Sequence, residues 1–149
     1  MCGLRGCLTT LVGAAALVER ARALRPAHRG SALSAGEPTL AAIEDAALAG
    51  DPLALQVVRE AAGHLGVAIS GLINLMNPAL VVVGGGLTRL GEILLEPLRE
   101  KVRSHTLVTS AAAAEIKASE LGARATAVGA ATAVLDRALA DPSLFPAAG

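Results

Sequence analysis

Three observations place this sequence in the α/β class, with a short sheet packed by helices and one long helix at its centre. The first is the pair Asp51-Pro52, followed by apolar residues at steps of three and four as far as Met76. The second is Leu80-Val81-Val82-Val83, an uninterrupted and mostly β-branched apolar run. The third is Gly84-Gly85-Gly86 directly after it, leading into an amphipathic stretch. Helix, apolar strand, glycine turn and helix in succession is the pattern of an α/β unit.

The composition narrows the function classes. The 149 residues suit one domain with a real core, and 53% apolar against 17% charged residues excludes disorder. Phe145 is the single aromatic residue, so Leu, Val, Ile and Ala must fill the interior. Thirteen basic residues balance thirteen acidic ones. Without a basic cluster or stacking rings, no nucleic acid is expected to bind through this chain. The longest apolar runs are too short to span a membrane. Arg5 followed by CLTTLVGAAALV imitates a signal peptide, and Leu4-Arg5-Gly6-Cys7 imitates a lipoprotein box. Arg5 would lie inside that box, and the basic region before it is very short. The expected location is therefore cytoplasmic, with reduced thiols.

The elements follow in order. Leu8, Leu11, Val12, Ala15, Val18 and Ala21 predict one helix over 8–24. Residues 25–38 are rich in Pro, Gly and Ser and read as a surface loop. A short helix over 39–48 takes Thr39 as N-cap and stops at Gly50. Asp51 caps the next helix and Pro52 suits its first position. Ala54, Val58, Ala61, Leu65, Ala68, Leu72 and Met76 then mark the buried face of a long helix over 52–76, with Leu72 in the core. Pro78 ends it near Asn77. The run 80–83 lacks polar alternation, which predicts a strand covered on both faces. A helix to about 104, a second strand over 115–118 and an Ala-rich helix over 122–140 complete the chain, before a tail at 141–149.

Two segments carry candidate chemistry. Cys2 and Cys7 stand in CGLRGC, and two thiols alone cannot close a structural zinc site. Gly84, Gly85 and Gly86 leave two readings open. Glycines let backbone approach a phosphate or nucleotide at a helix start, and they also make a tight turn needing positive φ. The spacing is neither GxGxxG, whose third glycine would fall on Arg89, nor a Walker loop.

The stretch GLINLMNPALVVVGGGLTRLGEILLEPLREKV resembles the C-terminal lobe of the ROK family of repressors, open reading frames and kinases. AGDPLALQVVREAAGHLGVAISGLINLMNP resembles that family's long helix, LGARATAVGAATAVLDRAL its closing helix, and CGLRGCLTT its zinc motif CxCGxxGCxE. The likeness runs over about residues 2 to 140. It implies an actin-like, sugar-kinase ATPase fold of which this is the C-terminal lobe, residues 1–10 being a partial zinc motif. It implies zinc held by one His and three Cys, with Cys2 and Cys7 as two of them and the ligand set otherwise incomplete. His28, His64 and His105 have no helpful spacing toward them. It implies that Thr9 stands where the family has a Glu that hydrogen-bonds sugar hydroxyls, with Thr10 an off-register alternative. It implies that Gly84, Gly85 and Gly86 border the adenosine of ATP in the kinases. The family's Asp-x-Gly-Gly-Thr phosphate loop and catalytic Asp have no counterpart in these residues, so no catalytic residue is assigned and ATP is doubtful. Met1 reads as an internal or misassigned start, or as the mark of a truncated gene. The reading that results is the effector and dimerisation portion of a sugar-responsive ROK transcriptional regulator, non-catalytic on its own. The alternative is the C-terminal lobe of a glucokinase-like, ATP-dependent sugar kinase. A homodimer formed through helices and a sugar effector are the expected partners.

Overall fold

Gly13 divides the first predicted helix in two. The structure, a computed structural model, describes residues 6–107 and 114–141. In it Gly13 is extended, with φ −70° and ψ 157°, between α1 (Thr9–Val12) and α2 (Ala14–Leu24). A Cβ at this position would lie 2.5 Å from the Thr9 carbonyl oxygen, so only glycine fits the break. The single helix over 8–24 is corrected accordingly. Its apolar spacing continues across the break and carries no sign of it.

The loop over 25–38 is pinned rather than free. It holds two 3-10 turns, Arg25–Ala27 and Ala32–Ser34, and buries Ser31 and Leu33. Asp51 is the anchor. Its carboxylate accepts from the Ala54 amide at 3.0 Å, the Ser31 hydroxyl at 2.9 Å and the Ala32 amide at 2.8 Å. One residue thus caps a helix and holds a loop against it.

α3 (Leu40–Leu48) takes its cap from Thr39, whose hydroxyl oxygen accepts the Ala42 amide at 3.1 Å. α4 (Pro52–Met76) starts and stops as predicted. Asn77 terminates it in the left-handed region at φ 44°, a conformation Asn tolerates better than most residues. α4 is the axis of the core. Leu53, Val57, Val58 and Ile73 are buried on it, against Leu17 of α2, Ile43 of α3, and Leu94 and Leu98 of α5 (Glu92–His105).

The buried face of α4 differs from the predicted one near its end. Leu72 is 52% exposed and Met76 is exposed too, while Ile69, Ser70 and Ile73 turn inward. Gly66 supplies the reason. A Cβ there would meet Lys101 Cβ at 2.7 Å and the Leu98 carbonyl at 3.0 Å. α5 therefore crosses α4 with backbone close to backbone at Gly66, and the buried stripe follows that crossing.

β1 (Leu80–Val83) and β2 (Glu115–Ala118) pair in parallel, Leu80 opposite Glu115 and Val83 opposite Ala118. Val83 and Ile116 are buried on the inner face, but Leu80 is 49% and Val82 57% exposed on the other. The prediction that this strand is covered on both faces is thus corrected among the described residues. The outer edge of β2 is blunted by Arg99, whose guanidinium donates to the Ile116 carbonyl at 2.9 and 3.2 Å. The other edge of β1 meets no strand among the described residues. The final helix, α6 (Ala125–Ala140), has no buried residue. No helix among the described residues is long and apolar enough to cross a membrane.

Candidate functional site

Two clefts flank α1, and each is lined by one of the segments singled out in the sequence. The first has a volume of about 950 Å³ and lies between α1, α2 and α4. Thr9 lines it, with Glu19, Arg20, Glu60, His64 and Lys101 as its charged or titratable neighbours and Leu17 and Ala61 among its apolar walls. Thr10 lines it as well, but its hydroxyl donates to the Cys7 carbonyl at 2.7 Å. Of the two threonines, Thr9 is the better placed to address a ligand.

A chain of polar contacts borders this cleft. Arg20 donates to Glu60 through Nε at 2.5 Å and Nη2 at 2.9 Å. Gln56 Nε2 donates to the same carboxylate at 3.0 Å, and His28 Nε2 lies 3.0 Å from Gln56 Oε1. An amide oxygen only accepts, so the ring nitrogen is the donor there. The Arg20 hydrogen bonds hold the Glu60 carboxyl below the usual carboxylate range, against the opposing effect of burial, and Gln56 adds to them. Sequence reading missed this row of side chains. Its one local signal is the i, i+4 spacing of Gln56 and Glu60 on α4.

The glycine turn borders the second cleft, of about 460 Å³, with Leu65 and Leu72 of α4 opposite. Gly85 has φ 111°, a conformation that disfavours any side chain. Thr88 is buried and donates its hydroxyl to the Gly85 carbonyl at 2.6 Å. Gly86 faces α3, and a Cβ there would stand 3.4 Å from Glu44 Oε1. Arg89 then bridges Glu44 at 3.0 Å and Asp45 at 2.7 Å. These bonds, Asp45 before Glu44, raise the guanidinium pKa above its ordinary value. The tight-turn reading of the glycines is thus realised at Gly85, and the turn also forms a wall of a groove. Apart from Thr88, that groove is lined by aliphatic residues and glycine. Thr9 and the glycine turn line different clefts, which share Ala61.

Of the two cysteines in the zinc reading, the described residues include one. Cys7 is a free, half-buried thiol, and Cys2 lies outside the described residues. No group of three or more His, Cys, Asp or Glu among the described residues could hold a metal ion. His28 is engaged with Gln56, and His105 ends α5 beside the Ser104 hydroxyl at 2.8 Å. Zinc would need donors beyond the described residues.

The comparisons agree with one another. The glucokinase of Thermotoga maritima is 36% identical over 141 residues, 91% of this chain and 44% of that protein. The DNA-binding transcriptional dual regulator NagC of Escherichia coli is 33% identical over 144 residues, 97% of this chain and 35% of that protein. The crystal structure of a ROK family glucokinase from Streptomyces griseus, in complex with glucose and AMPPNP, superposes with a TM-score of 0.75 at 30% identity, over 88% of this chain and 45% of that one. The chain therefore spans less than half the length of each of these proteins. Regulators and kinases both stand among its relatives, and the family model matches residues 1–137. With its long capped helix, its parallel strand pair and its glycine turn, the chain belongs to the ROK family.

Proposed function

We propose that this chain is the C-terminal lobe of a sugar-responsive ROK transcriptional regulator, its effector and dimerisation portion, and that it is non-catalytic by itself. Thr9 carries the reading. It lines the wide cleft, and the resemblance of CGLRGCLTT to the family motif sets it where that motif has a sugar-binding Glu. A hydroxyl both donates and accepts but lacks the paired oxygens of a carboxylate. Such a site binds a sugar as an effector more readily than it holds one for phosphoryl transfer, which needs an oriented nucleophile and charge neutralisation. The assignment as one lobe draws on the shares of 44% and 35% of the two relatives' lengths. It also draws on the open edge of β1, where a larger sheet could continue.

The second reading, the C-terminal lobe of a glucokinase-like kinase, is favoured by the 36% identity to the Thermotoga glucokinase. There the glycine turn would border a nucleotide. Cytoplasmic location, a homodimer and a zinc site whose ligand set is incomplete in this chain belong to both readings. The test uses the native protein purified from its own host. Sugar-dependent binding of the whole regulator to its own promoter DNA, through residues outside this lobe, is the expected result in a mobility-shift assay. Glucose-dependent formation of ADP would overturn the regulator in favour of the kinase.

A further inference from the structure

The wide cleft lined by Thr9 holds positive charge that its own ion pairs do not neutralise. Its charged or titratable walls are Glu19, Arg20, Glu60, His64 and Lys101. Arg20 and Glu60 satisfy each other through the bonds at 2.5 and 2.9 Å. Glu19 pairs with Arg22, which lies outside the lining and also holds Glu37 at 2.6 Å. Both carboxylates of the cleft are thus engaged, and Lys101 and His64 are left over. Among the described residues the Lys101 ammonium has no ion pair or hydrogen bond, and neither ring nitrogen of His64 has a hydrogen bond. The Thr9 hydroxyl is free in the same sense.

We infer that this cleft takes an acidic sugar, with the phosphate or carboxylate on Lys101 and His64 and the hydroxyls on Thr9. The inference rests on the reading of the cleft as the effector site and adds the charge of the effector to it. Unbalanced charge in a cleft with apolar walls draws a ligand of the opposite sign, and an ammonium serves a phosphate or carboxylate as a point charge. Lys101 is also prepared for the task. Its Cβ and Cγ lie against Gly66, 2.7 and 3.0 Å from where a Cβ would stand there. The first part of the side chain is therefore already ordered, and binding has less freedom left to remove. On α4 the neighbours of that contact, Gly63, His64 and Val67, belong to the cleft wall. The volume of about 950 Å³ lies within the range of small-molecule sites, roughly 300–1,000 Å³. Two isolated cationic groups are too few for a nucleic-acid backbone, which needs a cluster. The aliphatic groove beside the glycine turn has no charged residue in its lining.

The experiment is calorimetric titration of the native protein from its own host with six probes. These are glucose and galactose, the 6-phosphate of each and the uronic acid of each. The acidic sugars should bind at least about tenfold more tightly than the neutral ones, and the preference should shrink as salt is raised. Lys101→Met keeps the stem against Gly66 and removes the charge. It should erase the preference with the unfolding midpoint unmoved, and Lys101→Arg should retain the preference. Tighter binding of the 6-phosphates than of the uronic acids assigns a phosphate, and the reverse order assigns a carboxylate. Equal binding of neutral and acidic sugars overturns the inference and leaves the sugar-responsive reading standing. A preference that survives Lys101→Met also overturns it, because the anion then sits elsewhere. Binding of none of the six overturns the inference and the effector reading together.

Discussion

Asp51 shows how much one carboxylate can organise. It caps α4 through the Ala54 amide and holds the loop over 25–38 through Ser31 and Ala32. Its replacement by Ala removes the cap and leaves the buried Ser31 hydroxyl without its acceptor, so Asp51→Ala should cost about 1–3 kcal/mol in urea unfolding. An effect under about 0.5 kcal/mol would mean that water replaces all three bonds. The same residue sets an acid limit. Burial works to raise the Asp51 pKa, but the bonds from Ala54, Ala32 and Ser31 outweigh it and leave it lowered, as Glu60 is lowered beside Arg20. For a group whose folded pKa lies below its unfolded one, the added stability is present above the unfolded value of about 4. It is lost as the pH falls through the folded value. The urea midpoint should hold steady from pH 7 to 5 and then fall, and Glu60→Gln should make that fall shallower. At this scale the caps were legible because Asp-Pro and Thr at a helix start act on their own next few residues. Gly66 was not legible, because it is required by Leu98 and Lys101, which the fold brings near it; Gly13 was not, because its clash with the Thr9 carbonyl four residues back depends on the local backbone and leaves the apolar spacing unbroken.

The long helix separates what periodicity tells from what it cannot. Its ends are written locally in Asp51, Pro52, Asn77 and Pro78, and the structure places them as the sequence predicts. Its buried face is decided by its partner, since Gly66 admits α5 and draws Ile73 inward while Leu72 turns to the groove. Ile73→Ala should therefore cost about 2–5 kcal/mol, whereas Leu72→Ala, half exposed, should cost about 1 kcal/mol or less. Equal losses for the pair in denaturant unfolding would return the core to the face the spacing alone proposed. β1 repeats the lesson. Its β-branched run announces a strand correctly but calls for cover on a face where Leu80 and Val82 stay exposed beside Glu115 and Lys117 of β2.

The whole molecule is a set of well-made elements whose outward faces are unfinished. α4 and α5 close a dense interior, while the open edge of β1, the outer face of the sheet and the apolar surface of α6 remain unpartnered among the described residues. The same incompleteness reaches the candidate metal site. Cys7 sits just ahead of α1 with its carbonyl turned to Thr10, and its neighbours among the described residues do not form a three-donor cluster. Four-coordinate zinc bound by two thiolates alone would be left open to water and weakly held. Elemental analysis of the purified chain should accordingly find zinc far below one per chain, and a chelator should leave the unfolding midpoint unmoved, because a structural zinc adds its binding energy directly to folding. Zinc near one per chain with a dimeric mass would mean that donors come from a second chain. The opening cysteines would then be half of a shared site, and removing the metal should lower both the mass and the stability at once.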